Sequence, residues 1–216
     1  MQTIAVIDYG MGNLRSVAKA IETVAPQHHV VVTSNADTIA SADRVVCPGQ
    51  GAAADCMQAI ASAGLTQTIQ QLIGHKPFLG ICMGLQVLLT RSEENNGIDC
   101  MNVVPGQVKR FNNPLFDSAA PQSRLKVPHM GWSQVSQSST HAMWHNIANQ
   151  ARFYFAHSYY CVPDNASCVY GTCHYGDEFA VALAGKNWIA CQFHPEKSAA
   201  DGLQLLKNFI NWDGET

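Results

Sequence analysis

Charged residues and long hydrophobic runs are both scarce in this sequence. Only 13% of the 216 residues are charged and the formal net charge is −3, which leaves no basic surface for nucleic acid or an anionic membrane. No apolar stretch approaches the ~20 residues of a membrane-spanning helix, and the N-terminus lacks the basic and apolar regions of a secretory signal. We therefore expect a cytoplasmic protein that binds neither nucleic acid nor membranes.

Closely spaced cysteine pairs are also missing, although the sequence contains eight cysteines. Structural zinc sites use close pairs of ligands, and the adjacent residues Cys173 and His174 suit zinc spacing poorly. We therefore predict no metal and no other cofactor. Seven of the cysteines are interpreted as reduced core or surface thiols, and Cys82 is the exception.

The order of the predicted elements indicates a single α/β domain over residues 1–216. In the first half, short apolar strands alternate with helices, which is typical of a central, mostly parallel sheet flanked by helices. From about residue 101 to 190 the pattern changes to short strands and turns, which predicts antiparallel additions. Strands are predicted at 3–8, 29–33, 44–47 and 189–193, and helices after Asn13, at 52–62, at 66–74, at 85–90 and near the C-terminus.

The most informative motif is Gly80-Ile81-Cys82-Met83-Gly84, which lies between an apolar strand and a predicted helix. In a nucleophile elbow of the G-x-S-x-G type, the central side chain stands at the tip of a strained turn, and here cysteine replaces serine. The amides that open the following helix favour negative charge, which lowers a thiol's pKa and can hold an oxyanion. A cysteine in a buried turn is more often inert, so the motif needs a partner.

That partner is predicted near the C-terminus, where a strand-like run ends in His194-Pro195-Glu196. A thiol nucleophile needs a base within hydrogen-bonding reach, and the base needs an acceptor that fixes its tautomer. Cys82 and His194 both follow strands of a predicted parallel sheet, so both lie at its carboxyl edge. A histidine that merely caps a strand is the weaker alternative.

The segment Pro48-Gly49-Gln50-Gly51 ends the third predicted strand and precedes a helix. Its free amides can face Cys82 across the strand ends. One such amide, together with the amide of Met83, would bind the oxyanion of a tetrahedral intermediate. A plain glycine turn is the alternative.

A second glycine turn, Gly10-Met11-Gly12, follows the first strand. It has half of a dinucleotide-binding fingerprint, but Arg15 occupies the position of the third glycine. We favour a turn that packs closely on the sheet over a phosphate site.

Three segments together resemble the triad-type (class I) glutamine amidotransferases: 80–84, 48–51 and 193–198. Within that family, the segments 7–14, 128–132 and 157–160 are similar to the glutaminase subunits of imidazole glycerol phosphate synthases in histidine biosynthesis. The resemblance extends from residue 4 to about residue 210. It implies a glutaminase that hydrolyses L-glutamine with Cys82 as nucleophile, His194 as base and Glu196 as the acid that orients it.

The resemblance also implies further site residues. The Gly49–Gln50 peptide would be the movable part of the oxyanion loop, although the family often has an aliphatic residue where Gln50 stands. Glu94 lies where the family places a carboxylate for the substrate ammonium, with a solvated turn as the alternative. Gln86, one helical turn after Cys82, would contact the glutamine backbone, and the backbone groups of Ser158 and Tyr159 would contact its carboxylate.

A glutaminase of this kind releases ammonia, which would diffuse away unless a second protein used it. The family's partner is a (β/α)₈-barrel cyclase subunit, and we expect a heterodimer with it. The candidate docking residues are Met11, Asn13, Met130 and Trp132, because methionine and tryptophan make good buried anchors. Trp132 as an ordinary core residue is the alternative.

Two other functions compete with this one. The first is a glutaminase that feeds a different synthase, such as a surface-sugar amidotransferase or an enzyme of the vitamin B6 pathway. The second is a catalytically silent regulatory module on the same fold. The partner-facing segments argue against the first alternative, and the intact set Cys82, His194 and Glu196 argues against the second.

Overall fold

The computed structural model describes residues 1–215. Strands and helices alternate up to the predicted nucleophile turn, as the apolar pattern indicates. In this half the elements are β1 Thr3–Ile7, α1 Leu14–Val24, β2 His29–Thr33, α2 Ala36–Ser41, β3 Arg44–Gly49, α3 Ala53–Ser62, α4 Thr66–Leu72, β4 Phe78–Cys82 and α5 Met83–Gln86.

The second half consists mostly of short strands and ends in one long helix. Its elements are β5 Arg91–Ser92, β6 Ile98–Asp99, β7 Gly106–Arg110, β8 Leu115–Asp117, β9 Ala120–Leu125, β10 His129–Gln134, β11 Ser136–Gln137, β12 Arg152–His157, β13 Tyr159–Pro163, β14 Val169–Tyr175, β15 Asp177–Gly185, β16 Trp188–Cys191 and α6 Ala199–Asn211. Single turns of 3₁₀ helix lie between several of them, including Pro195–Lys197.

One twelve-stranded sheet organises the molecule. Its first five strands, in the order β2-β1-β3-β4-β16, are parallel to their neighbours. From β16 the sheet continues through antiparallel pairings with β15, β13 and β7. The predicted α/β class, with a parallel centre and antiparallel additions in the second half, is confirmed.

The helices cover both faces of the parallel strands. Along β1, Ile4 and Val6 point into the core beneath α1 and α6, whereas Ala5 and Ile7 point into the core beneath α2, α3 and α4. All four side chains are fully buried, which explains why the strand reads as an unbroken apolar run. The sequence therefore encodes a sheet with helices packed on both faces. The loops lie at the ends of the strands.

Several predicted boundaries were wrong. Helix α2 was not predicted, because its six residues carry only one buried apolar side chain, Ile39. The third strand continues past Cys47 to Gly49, and the last parallel strand covers Trp188–Cys191 rather than 189–193. The helix after Cys82 spans only Met83–Gln86 rather than 85–90.

Asn13 lies at the N-terminal boundary of α1 as predicted, but its side chain makes no capping hydrogen bond. The glycine turn before it does pack closely on the sheet, because a Cβ at Gly12 would lie 3.5 Å from the Cα of Gly49. Across the residues that the structure covers, every helix is too short or too polar to cross a bilayer.

Candidate active site

Cys82 stands at the tip of a strained turn between β4 and α5. Its backbone φ of 56° and ψ of −107° are unusual for a residue with a side chain. The two flanking glycines make this turn possible: a Cβ at Gly80 would collide with the carbonyl of Gly84, and a Cβ at Gly84 would collide with the carbonyl of Cys47. The strain and the close packing together hold the thiol in one place.

His194 lies at the same sheet edge as Cys82 because β16 pairs in parallel with β4, with Cys191 opposite Ile81. The backbone of His194 is fixed on both sides: its N–H donates to the carbonyl of Tyr154 at 2.9 Å, and its carbonyl accepts from Ser198 Oγ at 2.6 Å. The ring is therefore placed by main-chain bonds before any substrate contact is made.

Glu196 lies behind the ring, away from the thiol. The distance from His194 Nδ1 to Glu196 Oε1 is 3.0 Å, and both side chains are buried. The second carboxylate oxygen, Oε2, is buried without a hydrogen-bond partner. This bond occupies Nδ1 and leaves Nε2 as the ring nitrogen available for proton transfer.

The charge state of His194 follows from its neighbours. Burial lowers its pKa, but hydrogen bonds to Cys82 and Glu196, together with their negative charges, outweigh burial and raise the pKa to about 9. The site therefore favours a protonated imidazole next to the thiol at neutral pH.

The segment 48–51, which we call the oxyanion loop, lies beside the turn. Strand β3 pairs with β4 from Val45 opposite Phe78 to Gly49 opposite Cys82, and the Val45 N–H donates to the Pro77 carbonyl. Alternate residues of a parallel strand turn both backbone groups to the same neighbour. The carbonyl of Gly49 therefore points towards the end of β4, and the N–H of Gln50, on the other side of the same trans peptide, points away.

A cavity of about 350 Å³ opens above Cys82. Its wall contains all the predicted catalytic, oxyanion and substrate-binding residues except Gly49 and Glu196, which lie just behind it. The predicted members of the wall are Gln50, Gly51, Cys82, Met83, Gln86, Glu94, Ser158, Tyr159 and His194. Pro128, Met130, Ala156, His157 and Lys197 complete the lining, so His157 is part of the site wall.

Gln86 is oriented by two hydrogen bonds. Its Nε2 donates to the Tyr159 carbonyl at 3.2 Å and to Gln192 Oε1 at 3.0 Å, while its Oε1 is buried without a partner. Gln192 in turn donates from Nε2 to Cys82 Sγ at 3.7 Å. Gln192 was not predicted. A single polar residue at the end of an apolar strand was the sequence feature that could have indicated a role in the site.

Glu94 is also fixed. Its Oε2 accepts a hydrogen bond of 2.7 Å from the N–H of Ala53, the first residue of α3. The carboxylate is thus held at a helix N-terminus, where the helix dipole favours negative charge. Glu94 thus lies on the cavity wall, at the start of a short turn whose next residues are exposed.

A pair of buried histidines, His129 and His157, supports the cavity wall, which His157 lines. His157 Nδ1 lies 2.8 Å from the Tyr159 carbonyl, His157 Nε2 lies 3.0 Å from His129 Nδ1, and His129 Nε2 lies 2.7 Å from Ser133 Oγ. Burial lowers the pKa of His129 to about 4 and that of His157 to about 3. The Tyr159 carbonyl can only accept, so His157 donates to it from Nδ1. His129 then donates to His157 Nε2, and the Ser133 hydroxyl donates to His129 Nε2.

Of the four predicted docking residues, Met130 lines the cavity. Met130 and Trp132 project from the same face of β10, and 64% and 48% of their surface is exposed, so Trp132 is not a core residue. Met11 and Asn13 are half-buried, and the Met11 side chain lies against Gly51 of the oxyanion loop.

The Glutamine amidotransferase class-I family matches residues 5–212 of this chain. The chain belongs to the class I glutamine amidotransferases. Imidazole glycerol phosphate synthase subunit HisH 1 of Pseudomonas aeruginosa is 55% identical over 214 residues, which is 99% of each chain. The HisH subunit of Nitrosococcus oceani is 52% identical over 214 residues, again 99% of each chain. These identities place the chain among the HisH subunits within the class I family.

Solved structures show the same class I fold at low sequence identity. PurLQS from Thermotoga maritima superposes with a TM-score of 0.72 at 16% identity, covering 98% of this chain and 99% of that one. A glutamine amidotransferase from the same organism has a TM-score of 0.60 at 16% identity, covering 97% and 83%. At this identity the similarity concerns the fold alone.

The tight packing of the elbow predicts a severe effect of adding one methyl group. We expect Gly84→Ala to lower the free energy of unfolding by about 3 kcal/mol or more, because the new Cβ collides with the Cys47 carbonyl. Urea denaturation measures the change. Gly64→Ala is the control, since its φ of +70° is strained but its Cβ meets nothing within 4 Å, and a loss of about 1–2 kcal/mol is expected there. Equal losses would contradict the packing argument.

The environments of the histidines predict pKa shifts in opposite directions. NMR of ring-labelled histidine should find His194 titrating near pH 9 and His129 and His157 neutral down to about pH 4. In Glu196→Gln the His194 titration should move to lower pH, because the carboxylate charge and its hydrogen bond stabilise the protonated ring. An unchanged titration in that variant would show that Glu196 does not set the charge of His194.

Proposed function

We propose that Cys82, His194 and Glu196 form the catalytic triad that hydrolyses L-glutamine to glutamate and ammonia. The chain is a member of the HisH family, the glutaminase subunits of imidazole glycerol phosphate synthase in histidine biosynthesis. The observation that carries the assignment of residues is the placement of Cys82 and His194 on the wall of one cavity, with the ring of His194 hydrogen-bonded to the buried Glu196. It supplies a nucleophile, a base and an orienting acid in one geometry.

In the proposed first step, the Cys82 thiolate attacks the side-chain carbonyl carbon of glutamine, whose C–N bond then breaks. The protonated His194 gives its proton to the departing ammonia, and a γ-glutamyl thioester remains. The neutral imidazole then removes a proton from water, which attacks the thioester and releases glutamate. The bond to Glu196 keeps the ring correctly oriented through both proton transfers.

The oxyanion of each tetrahedral intermediate would lie between the amide of Met83 and an amide of the oxyanion loop. In the conformation described, the Gly49 carbonyl points towards the end of β4, so the Gln50 N–H has to turn towards Cys82. This reversal of a single peptide would be the gated step, and engagement of the partner would drive it. Gly51 supplies the adjacent amide on the cavity wall.

We assign the substrate's α-amino and α-carboxylate groups to the cavity wall. Glu94 is the only carboxylate that lines the cavity in the described chain, so it would pair with the substrate ammonium. Gln86, with one unpaired buried oxygen, would accept from the substrate backbone. Backbone groups of Ser158 and Tyr159 would bind the substrate carboxylate.

We further propose that residues 1–216 form one glutamine amidotransferase domain that acts in the cytoplasm as a heterodimer with a (β/α)₈-barrel cyclase subunit, which receives the ammonia. The HisH names and 52–55% identities of the relatives favour this partner over a surface-sugar or vitamin B6 synthase. The assembled Cys82, His194 and Glu196 favour an active enzyme over a silent module.

The proposed triad predicts the effect of removing the thiol. Cys82→Ala and Cys82→Ser should abolish glutamine hydrolysis, because Cys82 is the only thiol on the cavity wall and a serine hydroxyl is a far weaker nucleophile than a thiolate. Binding to the cyclase subunit should stay nearly unchanged, since Cys82 is only 5% exposed and offers little surface to a partner. Glutamate release and co-purification measure the two properties. Full turnover by Cys82→Ala would refute the triad.

The exposed anchors predict where the partner binds. Met130→Ala and Trp132→Ala should each weaken association with the cyclase subunit about 30-fold or more, because buried aromatic and methionine anchors dominate interfaces of this kind. Titration calorimetry measures the affinity. Phe116→Ala is the matched control: Phe116 is 48% exposed, like Trp132, but lies on β8 outside the cavity rim. Equal effects at Trp132 and Phe116 would contradict the proposed docking face.

A further inference from the structure

Two side chains outside the cavity wall hold the oxyanion loop. Tyr9 donates its hydroxyl proton to the carbonyl of Pro48 at 2.8 Å. Cys56 donates its thiol proton to the carbonyl of Gln50 at 3.3 Å. The two bound carbonyls lie immediately before and after the Gly49–Gln50 peptide, so this peptide is the one that the two side chains leave free.

The two donors come from different elements on the same side of the sheet. Tyr9 follows β1 and Cys56 lies in the first turns of α3, and both side chains are buried. The Tyr9 hydroxyl reaches Pro48 across the Cα of Gly49, where a Cβ would collide with it. Cys56 is itself fixed by the bond from its N–H to the Ala52 carbonyl. Both donor side chains are thus held in place by burial and by the backbone around them.

Both groups keep their protons at neutral pH. Burial raises the pKa of the Cys56 thiol to about 11 and raises the pKa of Tyr9 above its ordinary value. Each therefore has a single proton to donate, and each donates it to a loop carbonyl. A buried carbonyl that loses its donor is unfavourable, so the buried Pro48 carbonyl strongly prefers the orientation described. The Gln50 carbonyl lies in an exposed residue and accepts a partly buried bond from a weaker thiol donor, so it is held less strongly.

We infer that Tyr9 and Cys56 act as a carbonyl clamp that confines rearrangement of the oxyanion loop to the Gly49–Gln50 peptide. The plane of a single peptide can turn over through opposite changes in the two torsions beside it, here ψ of Gly49 and φ of Gln50, without displacing the neighbouring peptides. Glycine tolerates the backbone torsions that this requires at position 49. The clamp would keep Pro48 and Gln50 in register with Cys82 while that reversal brings the Gln50 N–H to the oxyanion. This inference rests on the proposed function of the loop.

The clamp residues are positioning residues, since neither touches the reacting atoms. Their loss should therefore impair binding of the transition state and leave binding of glutamine nearly unchanged. In the complex with the cyclase subunit, we expect Tyr9→Phe and Cys56→Ala each to lower kcat about 10-fold with KM for glutamine within about 2-fold. Cys56→Ser should recover most of the rate, because its hydroxyl can donate to the same carbonyl.

Matched controls separate the clamp from general damage to the core. Tyr175 donates its hydroxyl to the Lys126 carbonyl at 2.7 Å, and the buried Cys173 donates its thiol to the His174 carbonyl at 3.8 Å, both outside the cavity wall. Tyr175→Phe and Cys173→Ala delete the same groups elsewhere and should leave kcat unchanged.

A second readout distinguishes the oxyanion loop from the nucleophile. Iodoacetamide alkylates a thiolate by displacement at a methylene carbon, a reaction that forms no oxyanion. Mass spectrometry should therefore find the rate of Cys82 alkylation unchanged in Tyr9→Phe and Cys56→Ala. A fall in alkylation parallel to the fall in kcat would overturn the inference, because the effect would then be on the thiol or on the fold.

The outcomes separate this inference from the proposed function. If Tyr9→Phe and Cys56→Ala keep the wild-type kcat while Cys82→Ala is inactive, the clamp is wrong and the triad stands. If Cys82→Ala remains active, the proposed function itself fails. A lower kcat that Cys56→Ser does not restore would also count against the clamp, since it would point to packing rather than to the donated proton.

Discussion

The parallel register of β3, β4 and β16 is the constraint on which the whole site depends. Because β4 lies between the other two strands, the loop after β3, the turn after β4 and the residues after β16 meet at one edge of the sheet. Gly84 packs so closely on the Cys47 carbonyl that the turn cannot move relative to β3. The thiol, the imidazole and the oxyanion loop are therefore assembled by backbone pairing before side-chain contacts refine them.

Local environment then decides what each buried histidine can do. His194 faces a thiol and a buried carboxylate, and these raise its pKa despite burial. His157, also on the cavity wall, faces a carbonyl and a second neutral ring, so burial prevails and its pKa falls. The cavity therefore has one ring suited to proton transfer and one suited to fixed hydrogen bonding, although the residue type is the same.

The sequence predicted the parts of the site that short motifs encode. Cys82 and the glycines around it, His194 with Glu196, and the 48–51 loop are each contiguous, and the predicted parallel sheet sufficed to bring them to one edge. Gln192, Tyr9 and Cys56 were not predicted, because their roles depend on contacts between strands and helices far apart in sequence. Boundaries failed for related reasons: α2 buries little, and α5 is short because the chain turns away after Gln86.

The proposed docking residues Met130 and Trp132 lie close to the residues that hold the site. A bound partner would therefore act on the site through few intervening contacts. Strand β10, which carries Met130 and Trp132, pairs with β12, with His129 opposite His157 and Trp132 opposite Tyr154. His157 forms part of the cavity wall, and the Tyr154 carbonyl accepts the backbone N–H of His194.

The half-buried Met11 lies against Gly51 of the oxyanion loop. A protein that bound both β10 and the turn at Met11 would therefore contact the immediate neighbours of His194 and of the oxyanion loop together. Coupling between docking and catalysis then requires one bistable element, and the Gly49–Gln50 peptide, flanked by two fixed carbonyls, is the segment best suited to that role.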